Sequence, residues 1–228
     1  MTNTDRSGKN TEKTTDDVRA AIERGDKIRE DVRNIVIEAL GEHHLDRKNV
    51  EQMMGAVMEG AITAAPEGSR EFADTMKKTV EGLDEAMSKA AQASKLAIEE
   101  ASGRVEEFSE QDLKRAVDDL EGLEALYLET LGDLAKAGQT SAGSALRDLI
   151  THAERTGTQI GRTVSEALQD LRGPLSRAER PHLSDVEKAA RTGAASLASI
   201  ASGLLAGLAD SLAPREQSDD DKSDKKDS

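Results

Sequence analysis

From about residue 15 to residue 213 the apolar side chains recur at three- and four-residue steps, and nowhere do they alternate as in a strand. That period gathers them on one stripe of a helix, so the chain reads as all-α. The expected arrangement is one of long amphipathic antiparallel helices, in an elongated bundle or a coiled-coil-like assembly, with disordered termini.

The stripes also suggest boundaries. A first helix over 15–41 carries Val18, Ile22, Ile28, Val32, Ile35 and Val36, with Thr14 and Asp17 at capping-box spacing and Gly41 as its stop. A second follows over 47–65, behind Asp46, and is closed by Pro66 and Gly68. A third starts after Ser69 and is expected to continue to about 108. At 1.5 Å per residue such a helix would be a rod of about 60 Å, beyond the ordinary globular length. Ser109 with Asp112 opens the next, whose stripe holds Leu113, Val117, Leu120, Leu123, Tyr127, Leu131 and Leu134. Leu126 and Leu128 lie off that stripe, which makes the segment apolar more than halfway round. A helix of that kind is buried between two neighbours or binds something.

The run AGQTSAG at 137–143 predicts a break or kink, and a further helix is expected over 144–172, ended by Gly173 and Pro174. The organisation expected is therefore a disordered tail at 1–14, an amphipathic helical region at 15–173 and a Pro-containing linker at 174–183. A helix rich in small and apolar residues at 184–213, capped by Ser184 with Glu187, and a disordered acidic tail at 214–228 complete it.

Composition limits what those stripes can build. The chain has no Cys and no Trp, and its only aromatic residues are Phe72, Phe108 and Tyr127. Disulfides, thiolate metal sites and cysteine nucleophiles are excluded. The side chains that bury most area are nearly absent. A core must then rest on Leu, Ile, Val, Met and Ala, and each Ala methyl contributes about 0.8 kcal/mol at best. So thin a core predicts helices packed very closely, or helices that finish burying their faces on a partner.

With 31 basic and 45 acidic residues the net charge is −14, which argues against a nucleic-acid partner and against unaided binding to an anionic membrane. The first ten residues hold no apolar stretch, so a cytoplasmic location is expected.

The segment 192–209, TGAASLASIASGLLAGLA, has eighteen residues without a charge. Leu197, Ile200, Leu204, Leu205 and Leu208 are its strongly apolar members. Ala, Ser, Gly and Thr make up the rest, with no aromatic belt or flanking basic cluster. That composition disfavours a transmembrane span and suits packing on the body, on a twin or on a hydrophobic surface. Leu120, Leu123, Leu126, Leu128 and Leu131 are the matching candidates in the middle of the chain. Small residues recur every fourth position in the segment, Gly203 and Gly207 among them, and Gly157 and Gly161 share the spacing. Such a row lets two helix backbones approach closely.

Signs of catalysis are missing. The chain contains no phosphate-cradling GxxxxGK[ST], no GxSxG and no HExxH. Glu179 and His182 have ExxH spacing, but Pro181 lies between them, and a di-iron bundle needs two such pairs on facing helices. His43, His44 and Asp46 could grip a metal, although adjacent His on a polar turn are more often simply exposed. No catalytic residue, metal or cofactor is expected.

The stretch LDEAMSKAAQASKLAIEEASGRVEEF, residues 83–108, resembles in style the phasins, bacterial proteins that coat polyhydroxyalkanoate storage granules. The similarity covers roughly 70–212, and the chain also resembles an uncharacterised bacterial helical family. It departs from phasins in its few aromatics and in lacking a Pro/Ala/Lys-rich tail, and no functional residue carries over. The resemblance implies a non-catalytic protein that coats a granule or a lipid surface. The alternative is a self-associating scaffold or adaptor, with the stripes buried in a homo-oligomer.

Overall fold

The computed structural model describes residues 3–41, 47–65, 70–103, 108–138 and 140–178, and the structural statements that follow concern these. They form eight helices and no strand: α1 (Asn3–Arg24), α2 (Ile28–Gly41), α3 (Arg47–Ala64), α4 (Arg70–Ser102), α5 (Glu110–Glu121), α6 (Leu123–Ala137), α7 (Thr140–Thr156) and α8 (Gln159–Ala178). The all-α reading holds. The segments 179–213 and 214–228 lie outside the described residues.

Several boundaries differ from the sequence reading, each for a local reason. Residues 3–14, expected to be disordered, belong to α1. Their tertiary contacts outweigh their polarity: Thr14 is buried and Lys13 pairs with Glu38 of α2. The helix expected over 15–41 is two helices, parted at Gly25, whose φ of 80° is left-handed. α4 stops at Ser102 and spans about 50 Å at 1.5 Å per residue. α5 and α6 meet at Gly122, and the expected break near 137–143 falls at Gly138. The helix expected over 144–172 divides at Gly157, where φ is 76°. α8 then runs on through Pro174 to Ala178, five residues into the expected linker; the missing amide removes one helical bond without ending the helix. Ser109 caps α5 as expected: its Oγ accepts the Asp112 amide, and Asp112 Oδ2 accepts the Ser109 amide, each at 3.2 Å.

Neighbouring helices are not uniformly antiparallel. α1 and α2 form an antiparallel hairpin, with Arg24 bonded to Asp31 near the turn and Lys13 to Glu38 away from it. α4 and α8, however, run parallel. Asp84 meets Gln159, Ser88 meets Thr163 and Lys95 meets Asp170, a constant offset of 75. A 3.6-residue period fixes which side of a helix is buried but not which way its neighbour points.

The core is continuous through all eight helices, from Val18, Val32 and Met54 through Leu83 and Leu113 to Tyr127, Leu146 and Ile160. Leu96, 49% exposed, is the one large apolar side chain left open among the described residues. The sparse core is completed by close approach. A Cβ on Gly60 would lie 2.5 Å from the Thr15 carbonyl oxygen and 3.1 Å from Val18 Cβ. One on Gly82 would lie 2.6 Å from the Arg29 carbonyl oxygen and 3.0 Å from Val32 Cβ. At both crossings, α3 on α1 and α4 on α2, a missing side chain lets the backbones touch, and a valine fills the adjoining space.

Candidate functional site

The most elaborated polar cluster lies where α8 begins, against α4 and α6. A helix start leaves its first amides without intrahelical acceptors. Here Thr158, 3% exposed, accepts the Gly161 amide on its Oγ1 at 2.8 Å, in the manner of an N-cap. Asp84 of α4 takes the two amides before it: Oδ2 accepts from Gln159 at 2.8 Å and Oδ1 from Ile160 at 3.0 Å. A carboxylate at a helix N-terminus is favoured by the aligned peptide dipoles. The start of α8 is therefore satisfied in part by another helix, 75 residues away.

α6 closes the cluster from the other side. Thr158 donates its hydroxyl to Glu124 Oε1 at 2.5 Å. The Glu124 carboxylate also occupies the place a side chain at Gly161 would need. Tyr127 donates its hydroxyl to the Val80 carbonyl at 3.0 Å. Burial, and then the nearby Asp84 charge, push the phenol well above its usual pKa, so it stays protonated. Beside these residues an open cleft of about 370 Å³ is lined by Glu124, Thr158, Gly161, Arg162, Ser165 and Glu166. The arrangement holds three helices together; its hydroxyls and carboxylates are engaged with one another and with backbone amides.

The candidate contact residues of the middle segment are mostly inside. Leu120 and Leu131 are buried, and Leu123, Leu126 and Leu128 are half-buried against the core. α6 packs on α3, α7 and α8, which covers its broad apolar circumference except where Leu123, Leu126 and Leu128 stay partly open. In this closed form Leu120 and Leu131 would reach a surface only if the bundle opened. Leu197, Ile200, Leu204, Leu205, Leu208, Gly203 and Gly207 lie outside the described residues, as do His43, His44, Asp46, Glu179 and His182.

The glycine pair needs correction. Gly157 is not a close-packing residue: its φ of 76° makes it the joint between α7 and α8, and nothing lies within 4 Å of where its Cβ would be. Gly161 is tightly packed, but against a carboxylate rather than a second backbone. The glycines that do admit a neighbouring backbone are Gly60, Gly82 and Gly143, the last 2.6 Å from the Ala135 carbonyl oxygen when given a Cβ. A lone Gly inside an apolar helical stripe was the available signal for Gly60 and Gly82. Asp84 had none, because its role depends on a helix start far along the chain.

Residues 4–214 match the model of a family of unknown function, DUF6781. The chain belongs to that family. No curated protein matches the chain, and no solved structure does either. The DUF6781 match takes in α1–α8 and continues through 192–209, so the uncharged segment falls within the family unit while most of the acidic tail lies beyond it. No described helix is long and apolar enough to cross a membrane. Among the described residues no group of three or more His, Asp or Glu is placed to hold a metal ion.

Proposed function

We propose that this is a non-catalytic helical protein that associates with a hydrophobic surface, in the manner of a storage-granule coat. The helical body acts as carrier and 192–209 as the segment that seeks the surface. One contrast carries the reading. Among the described helices only Leu96 leaves a large apolar side chain exposed, whereas 192–209 places five large apolar residues in eighteen without one charge. A body that has covered its own stripes has little left with which to adhere. Burial of five such side chains is worth on the order of several kcal/mol before ordering costs. The net charge of −14 favours an uncharged polymer over anionic lipid.

The test is co-sedimentation of the full chain with polyhydroxybutyrate particles. The wild type is expected to bind at low micromolar concentration, and Leu204→Asp/Leu205→Asp to lose at least tenfold in affinity with unchanged helicity. A wild type that stays in the supernatant overturns the reading. The scaffold reading is favoured by a different observation, that Leu123, Leu126 and Leu128 stay partly open along α6. It predicts a stable oligomer by sedimentation, dissociated by Leu123→Asp, and fails if the wild type is monomeric.

A further inference from the structure

The contact between α8 and the rest of the bundle is of an unusual kind. Most helices start on a cap supplied by their own chain. For α8 the amides of Gln159 and Ile160 are held by Asp84, so a well-satisfied start and docking on α4 are one event. Along the next three turns the same interface is marked by a hydroxyl pair, Ser88 and Thr163 at 2.7 Å, and by an ion pair, Lys95 and Asp170 at 2.8 Å. Between these polar links lie Ile160, Val164, Ala167 and Leu171, all buried. The opposite side carries exposed Arg162, Glu166 and Arg172. α8 is thus strongly amphipathic, and its apolar stripe is covered chiefly by one partner helix.

The joint before it is unobstructed. Gly157 is exposed, sits at a φ of 76°, and has no heavy atom within 4 Å of its Cβ position. A side chain there would meet no packed neighbour, and the first link that rotation has to break is the bond from Thr158 to Glu124 of α6. The contacts of α1 with α3 and of α2 with α4 do not involve α8.

We propose that α8 is a hinged strap, closed on α4 in this structure and able to swing about Gly157 so that its apolar stripe meets a hydrophobic surface. The motion is a property of the fold; that its target is such a surface rests on the function proposed above. Opening releases the Asp84 cap and uncovers the stripe of Ile160, Val164 and Leu171 together. An amphipathic helix with a charged outer side is suited to lie in an apolar interface.

The chain has no cysteine, which allows a clean lock. The pair Ser88→Cys/Thr163→Cys, made in the full chain, pins α8 to α4 when oxidised and frees it when reduced. Polyhydroxybutyrate particles are the probe. The reduced pair is expected to bind as the wild type does, and the oxidised pair at least tenfold more weakly. Equal binding by both forms overturns the strap and leaves the surface reading standing; absence of binding by the wild type overturns the surface reading instead. The motion has its own readout without particles, amide hydrogen exchange. Amides of 162–172 are expected to exchange at least tenfold faster than those of α2 and α3, and Asp84→Asn to accelerate them about tenfold more while α1–α3 stay unchanged. Exchange of α8 only together with α2 and α3, in wild type and Asp84→Asn alike, shows that no strap exists.

Discussion

Between α1 and α4 the helices are held at a spacing set by what is absent: Gly60 lies on the backbone at Thr15, and Gly82 on the backbone at Arg29. Between α4 and α8 the spacing is set by what is present, namely Asp84, Ser88 and Lys95 on one helix and the α8 amides, Thr163 and Asp170 on the other. Both contacts serve a core short of aromatic mass, but they fail differently. Backbone contact tolerates no added atom and offers no intermediate state. The second contact adds separable polar links to its apolar stripe, each net hydrogen bond contributing only about 1 kcal/mol. The first half therefore reads as a rigid frame and α8 as the part able to leave it.

The largest expected effect tests the frame. Gly82→Val forces α4 away from α2 and should destabilise the protein by about 3 kcal/mol, read as a lower urea midpoint. A midpoint within error of wild type would show that the crossing is slack and would erase the contrast. Thr158→Ala removes the local cap of α8 and should cost about 1 kcal/mol. If the two regions differ as argued, hydrogen exchange should place most of that loss in α8 rather than across the bundle.

A third change goes the other way. Thr79 is fully buried and its Oγ1 has no hydrogen-bond partner. Thr79→Val keeps the shape and removes the unsatisfied hydroxyl, so thermal unfolding should show a stability gain of about 1 kcal/mol. A loss would mean that the hydroxyl is satisfied after all.

The smallest effect concerns acid. Burial raises the Glu85 carboxyl, but bonds and charges from Arg33 and Arg29 outweigh it and hold its pKa below the ordinary value. A depressed folded-state pKa contributes stability that is fully present above the unfolded value and is lost as pH falls through the folded one. The α2–α4 contact should thus weaken modestly below the ordinary carboxylate range. Glu85→Gln should flatten that part of the pH–stability curve, and an unchanged curve would remove the ion pair from the account.

Local pattern was enough to show that the described residues are helical, because a three-and-four apolar spacing has no use in a sheet. It also determined where strongly local chemistry ends a helix: the Ser109–Asp112 capping box and the break near Gly138 depend only on adjacent residues. The sequence even named Gly157 and Gly161, but not their parts, since a glycine looks the same whether it admits a backbone, a carboxylate or a left-handed turn. Tertiary structure alone decided that residues 3–14 join α1, that α4 and α8 lie parallel, and that Leu120 and Leu131 are inside. The physical reason is one of range. Periodicity and caps act over a turn or two, whereas Asp84 at the start of α8 and Gly60 against Thr15 acquire their meaning only from a neighbour many residues away.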